Sequence, residues 1–165
     1  MFYHTSYYTL LNILSQNHPK ALAYVAGNES FPQLNGMVKF YPAPQQKGLL
    51  VEAEFFNLPN SMEGSTNAFF GFHIHENGDC SNSFQNTGSH YNPLGLAHPF
   101  HAGDMPPLMS NNGYAWMAFF DARITIEEIL GKSLIVHRLP DDFTTQPSGD
   151  AGEKIACGII ESVML

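Results

Sequence analysis

Apolar and polar positions alternate or cluster in short runs along most of the chain, and Gly, Pro, Asn and Asp punctuate them at fairly regular intervals. That rhythm predicts strands at ALAYVA (21–26), GMVKFY (36–41), LLVEAEFF (49–56), AFFGFHIH (68–75), YAWMAFF (114–120), KSLIVH (132–137) and KIACGIIESV (154–163), with a weaker one around ARITI (122–126). Seven or eight strands without a long helical pattern imply an all-β, antiparallel sandwich or flattened barrel. Two segments, 76–113 and 138–153, break the rhythm. They are long, polar and rich in Gly, Pro, Asn and Asp, and loops of that length in a compact domain are usually functional.

The N-terminus follows a different period. Tyr7, Leu10, Leu11 and Leu14 fall at i, i+3, i+4 and i+7 after Thr5 and Ser6, which predicts a short helix that stops before Pro19. We therefore read residues 1–18 as an extension and 19–165 as one β domain. The extension is expected to cover an apolar end or side of the sandwich, a subunit contact being the other reading.

Composition narrows the function classes. At 165 residues with 44% hydrophobic content, the chain can bury one core of its own. Seven Lys+Arg against fifteen Asp+Glu leave a formal charge of −8, which argues against a nucleic-acid partner. No apolar run reaches the eighteen or more residues of a membrane span, so a soluble protein without a membrane partner is expected. MFYHTSYYTLLNILSQNHPK lacks the basic region, long apolar stretch and small-residue cleavage site of a secretory signal. This favours the cytoplasm, a mature secreted or periplasmic form being the other reading.

The candidate chemistry is carried by histidine. In the run GFHIHENGDC (71–80), strand alternation sends His73 and His75 to one face and Phe72 and Ile74 to the other. An H-x-H on a strand is weak evidence by itself, since exposed or hydrogen-bonded imidazoles look the same. However, His90, His98, His101 and Asp104 follow in one polar loop, and His137 ends the strand SLIVH. Six of the eight histidines thus fall in one set, leaving only His4 and His18 outside. Three imidazoles and a carboxylate suit a closed tetrahedral zinc site, which the loop supplies in His90, His98, His101 and Asp104. All-imidazole coordination from the strand-borne His73, His75 and His137 suits copper.

GFHIHENGDC, GSHYNPLGLAHPFHAGD, GKSLIVH and SGDAGEKIACGII together resemble, in order and spacing, the copper/zinc superoxide dismutase family. The resemblance covers most of residues 21–163. It implies an eight-stranded Greek-key β-barrel with copper and zinc ions held outside it by the two long loops. By motif position it implies His73, His75, His90 and His137 as copper ligands, and His90, His98, His101 and Asp104 as zinc ligands, with His90 bridging. It implies Asp141 as a carboxylate bonded to His73 and His98, where the residue alone would read as a solvated turn aspartate. It also implies a disulfide between Cys80 and Cys157, the alternative being two buried thiols.

The implied activity is disproportionation of superoxide anion to O2 and H2O2 by copper cycling between two oxidation states, with the zinc-supported His90 handling a proton. Non-catalytic copper-binding or copper-delivery modules share the fold, but commonly lack part of the ligand set, which is complete here. A copper-only dismutase would lack His98, His101 and Asp104. The family contains monomers and dimers, so a homodimer is compatible with the resemblance.

One departure concerns the anion. The chain stays negative even with two divalent metals bound, so attraction of superoxide must come from a local field. The family normally has an arginine beside copper; in GEKIACG that position is Lys154. Lysine keeps the charge without the planar fork of donors, which predicts surviving attraction and weaker docking. Glu153, next to it, would weaken the field if it faced the channel.

Overall fold

The computed structural model describes residues 6–43, 47–59 and 68–163. Strands β1 (Ala21–Gly27), β2 (Asn35–Pro42) and β3 (Leu49–Phe56) form an antiparallel meander. Next in chain order come β4 (Phe69–Phe70), β5 (Phe72–His75), β6 (Leu108–Met109), β7 (Ala115–Asp121), β8 (Ser133–His137), β9 (Lys154–Ile159) and β10 (Glu161–Ser162). The main sheet runs β5-β8-β9-β1-β2-β3-β7, with β10 also on β1. The links from β3 to β5, β5 to β7 and β7 to β8 each cross between the sheet's two ends, in the Greek-key manner. β4 continues through Gly71 into β5, and β6, its partner, lies against β7. This short ribbon therefore bridges the two edge strands of the curled sheet.

Alternation places the core inside. Val51, Ala53 and Phe55 of β3, Phe72 and Ile74 of β5, and Leu134 and Val136 of β8 share one buried apolar cluster. Register aligns Ala23, Val38, Ala53 and Met117 across four strands. Phe55 meets Phe72 edge to face at 5.7 Å, and burial of each such side chain stabilises by roughly 1.5–3 kcal/mol.

Three expectations change in detail. The run 68–75 divides at Gly71, where a Cβ would meet the side chains of Ala151, His137 and His73 at 2.9, 3.2 and 3.2 Å. The run 154–163 divides at buried Ile160, whose N–H turns to Lys132 O. ARITI is not a strand. Ile124 points into the core and Thr125 caps a short helix (Ile126–Ile129), the Glu128 carboxylate accepting both the Thr125 N–H and its hydroxyl. Local capping chemistry thus outweighs the β propensity of Ile and Thr.

The N-terminal helix spans Ser6–Gln16 and lies on the outside of the sheet. Leu10, Ile13 and Leu14 pack against Tyr41, Leu50 and Ala118 of β2, β3 and β7. Ile13, outside the expected stripe, is the most buried of the helix's described side chains. Thr5 and the side chains of Tyr7 and Leu11 lie outside the described residues. Among those described, no helix is long and apolar enough to cross a membrane.

Candidate metal centre

β5 is an edge strand, and the first long loop (76–107) completes its pairing. Tyr91 N–H donates to Ile74 O and Ile74 N–H to Gly103 O, so bridges form at His73 with Asp104 and at His75 with His90. The loop's candidate ligands are thereby brought against the outward face of β5. On the other side of β5, His137 closes β8 at a register irregularity, where its N–H donates to Gly71 O. The absence of a Cβ at Gly71 lets His73 and His137 approach.

All six histidines and Asp104 are nearly inaccessible, none more than 6% exposed. They form two groups of four. In each of His73, His75, His90, His137 and His90, His98, His101, Asp104, the candidate ligand atoms lie within 4.8 Å of one another. His90 belongs to both.

Hydrogen bonding fixes which ring nitrogens carry protons. His75 Nδ1 and His137 Nδ1 lie 2.9 and 3.1 Å from Gly88 O and Gly152 O, and a carbonyl only accepts. In the neutral rings both Nε2 atoms are therefore lone pairs, and they face each other at 3.3 Å. Likewise His73 Nε2 and His98 Nε2 lie 2.8 and 2.9 Å from the two oxygens of Asp141. That leaves His73 Nδ1 buried without a partner, and His98 Nδ1 facing Asp104 Oδ2 at 3.1 Å. His101 Nδ1 faces the same oxygen at 3.4 Å, and His90 Nε2 is also buried without a partner. Converging lone pairs repel unless a cation lies among them. The donor sets thus fit one ion in an all-imidazole group and a second in a three-imidazole, one-carboxylate group.

Titration follows the same pattern. Burial lowers the His73 imidazole to about 4, against the Asp141 hydrogen bond and helped by the neighbouring His90 ring, and burial with the nearby His73 ring lowers His137 to about 3. His75 is pushed further in the same direction by burial and by His137. Burial would raise Asp141, but hydrogen bonds from His73, Phe143 N–H and His98 outweigh it and hold the carboxyl well below its ordinary range. Asp104 is lowered too, His90's hydrogen bond and the neighbouring imidazoles overcoming burial. Neutral rings and ionised carboxylates are the states that bind metals.

A family model described as copper/zinc superoxide dismutase matches residues 34–160. The chain belongs to the copper/zinc superoxide dismutase family. It is 31% identical over 138 residues to an extracellular copper-zinc superoxide dismutase of Rattus norvegicus, covering 78% of this chain and 55% of that protein. It is 34% identical over 120 residues to copper-zinc superoxide dismutase 3 of Arabidopsis thaliana, covering 63% and 73% respectively. Copper-zinc superoxide dismutase 1 of Aquifex aeolicus (strain VF5) is also 34% identical, over 130 residues, with 69% and 73% covered. The chain therefore spans about half of the rat protein and about three quarters of the other two.

Copper and zinc are the cofactors of this family, and the two histidine-rich groups fit them. Cys80 and Cys157 form a disulfide that ties the start of the first long loop to β9. A cavity of about 580 Å³ opens beside the all-imidazole group, lined by His75, His90, His137, Gln146 and Lys154 among others. Glu153 does not line it. Among the described residues, Lys154 is its one ammonium or guanidinium and Glu76 its one carboxylate. Yet the Lys154 ammonium lies 2.8 Å from Thr87 Oγ1, 3.1 Å from Gly88 O and 3.4 Å from Phe84 O, so its three donors are directed at the loop. Burial lowers its pKa, partly offset by Glu76.

Two further residues were not singled out from the sequence. Arg123, in the ARITI segment, is paired with Asp121 at 2.7 Å and donates to His101 O and Asp104 O, pinning the end of the loop that carries these candidate ligands. Gln146, in the second long loop (138–153), bonds the backbone of His98. Neither bond has a spacing signature, because both end on backbone groups.

Proposed function

We propose that this chain disproportionates superoxide to O2 and H2O2, with His73, His75, His90 and His137 holding copper and His90, His98, His101 and Asp104 holding zinc. The observation that carries the reading is the pair of buried four-residue donor groups sharing His90, whose Nε2 is buried without a partner and whose Nδ1 lies 2.8 Å from Asp104 Oδ1. Bound copper supplies a one-electron couple and bound zinc a fixed positive charge.

The remaining work falls to the protein. Asp141 selects the Nε2–H forms of His73 and His98, and Gly88 O and Gly152 O select the Nδ1–H forms of His75 and His137, so each ring turns its lone pair inward. His90 Nε2 is the buried atom at which a proton can be held beside the cavity and returned to a reduced substrate. Lys154 provides the local positive field that a small anion meets in an otherwise acidic molecule.

The test is the superoxide disproportionation rate of protein reconstituted with one copper and one zinc. A fast, copper-dependent rate is expected. A negligible rate with both sites filled would move the chain to the metal-binding modules of the same fold.

A further inference from the structure

The second long loop holds His98 at two separate places. Asp141 accepts from its ring, as described, while the Gln146 carboxamide addresses its backbone: Oε1 accepts the His98 N–H at 3.0 Å, and Nε2 donates to His98 O at 2.7 Å. A primary amide with one donor side and one acceptor side closes a two-bond ring with the N–H and C=O of one residue, as a residue on a neighbouring antiparallel strand does. Gln146 sits on a segment stiffened by its own hydrogen bonds. Asp142 Oδ1 accepts from Thr144 and Thr145 N–H, Gly149 N–H donates to Thr145 O, and Asp142 N–H donates to Gly149 O. Gly149 has φ +69° and lies where a Cβ would meet the Asp141 carboxylate and His98 Nε2, so the segment fits tightly over this histidine. The same Gln146 lines the cavity beside His75, His90 and His137.

We propose that Gln146 is a positioning residue: its two bonds to the His98 backbone hold that ligand in the zinc group and make the cavity wall dependent on His98 being in place. The inference rests on the zinc assignment above. It gives His98 a backbone restraint independent of the Asp141 bond, so loss of either contact leaves the other. Partners that orient a ligand typically change metal affinity by 10–100-fold when removed. For a half-exposed pair of neutral hydrogen bonds the lower end applies.

The experiment compares wild type with Gln146→Met, which keeps length and shape without either hydrogen bond, and with Gln146→Ala. Zinc affinity is read by competition with a chromophoric chelator, cobalt is substituted for zinc to follow ligand geometry by visible absorption, and amide exchange is followed at His98. Both variants should bind zinc about tenfold more weakly, shift the cobalt spectrum and exchange the His98 amide faster, with copper affinity changed less than twofold. Unchanged zinc affinity and cobalt spectrum would overturn the proposal, even if the His98 amide exchanged faster. A wild-type chain that binds no zinc would overturn the metal-site reading itself and this inference with it, an outcome separable from the first because it appears without any substitution.

Discussion

The two metal groups share His90 but are built in opposite ways. His73, His75 and His137 stand on β5 and at the end of β8, where the sheet's own ladder sets their direction and backbone carbonyls or Asp141 set their tautomers. His98, His101 and Asp104 stand on a loop whose shape is held from outside, by Arg123, Asp141 and Gln146. A site on strands inherits its geometry from the core packing beneath it, through Phe72, Ile74, Leu134 and Val136. A site on a loop has to be assembled by contacts made specifically for it.

The largest break in this contrast is removal of the disulfide. Cys80 and Cys157 are 77 residues apart, and in the chain-entropy model closing such a loop stabilises by about 4.5 kcal/mol. The double Cys80→Ala, Cys157→Ala variant should lose roughly that amount in denaturant unfolding, and amide exchange should rise more in 76–107 than in β5 and β8. Equal loosening of strands and loop would mean that the loop is no more dependent on imposed contacts than the sheet.

Acid should act through the strand-borne half. His73 titrates near 4 in the folded chain and near 6.5 when free. As pH falls below 6.5, the unfolded chain takes up a proton that the folded one refuses, so stability is lost on acidification. For His73 alone the loss is about 2 kcal/mol at pH 5, and His137 and His75 act in the same direction. The metal-free protein should therefore melt several degrees lower at pH 5 than at pH 7.5. A flat profile would show that these rings accept protons in place.

Asp141 joins the halves, since one carboxylate takes a ring from each. Asp141→Ala should weaken copper and zinc binding together, each by about 10–100-fold in chelator competition. If only zinc affinity fell, the strand-borne site would be shown to need no outside partner, and the contrast would sharpen.

The same division explains what could be read from the chain. Alternation alone turned His73 and His75 away from Phe72 and Ile74, and the structure keeps that division. The seven main strand runs correspond to observed strands, with breaks at Gly71 and Ile160 where tight approach or a turned N–H matters more than pattern. The loop's candidate ligands, His90, His98, His101 and Asp104, stand out as a set because their residue types are rare together, and the structure brings them into one group. Their scaffold does not stand out, because Arg123 and Gln146 act on carbonyls and amides, which every residue possesses. ARITI misleads for a related reason: Thr125 serves a cap, and Ile124 is buried without belonging to a strand.

Lys154 lies where the two constructions meet, on β9 but hydrogen-bonded to the loop through Phe84 O, Thr87 Oγ1 and Gly88 O. Gly88 O also receives the His75 Nδ1–H, so the ammonium steadies the carbonyl that orients a strand-borne candidate ligand. An ammonium has three donors, and all three are engaged; its charge remains to attract an anion, but no N–H is directed at one. Arginine would keep the charge and add donors in a planar fork. In the copper-loaded protein, Lys154→Arg should therefore bind azide a few-fold more tightly and turn over superoxide modestly faster. Lys154→Met should lose both the rate and most of its dependence on ionic strength. The discriminating comparison is azide affinity in the first variant against wild type. If the two are equal, Lys154 already docks anions as well as arginine would, and its bonds to the loop must open when substrate arrives.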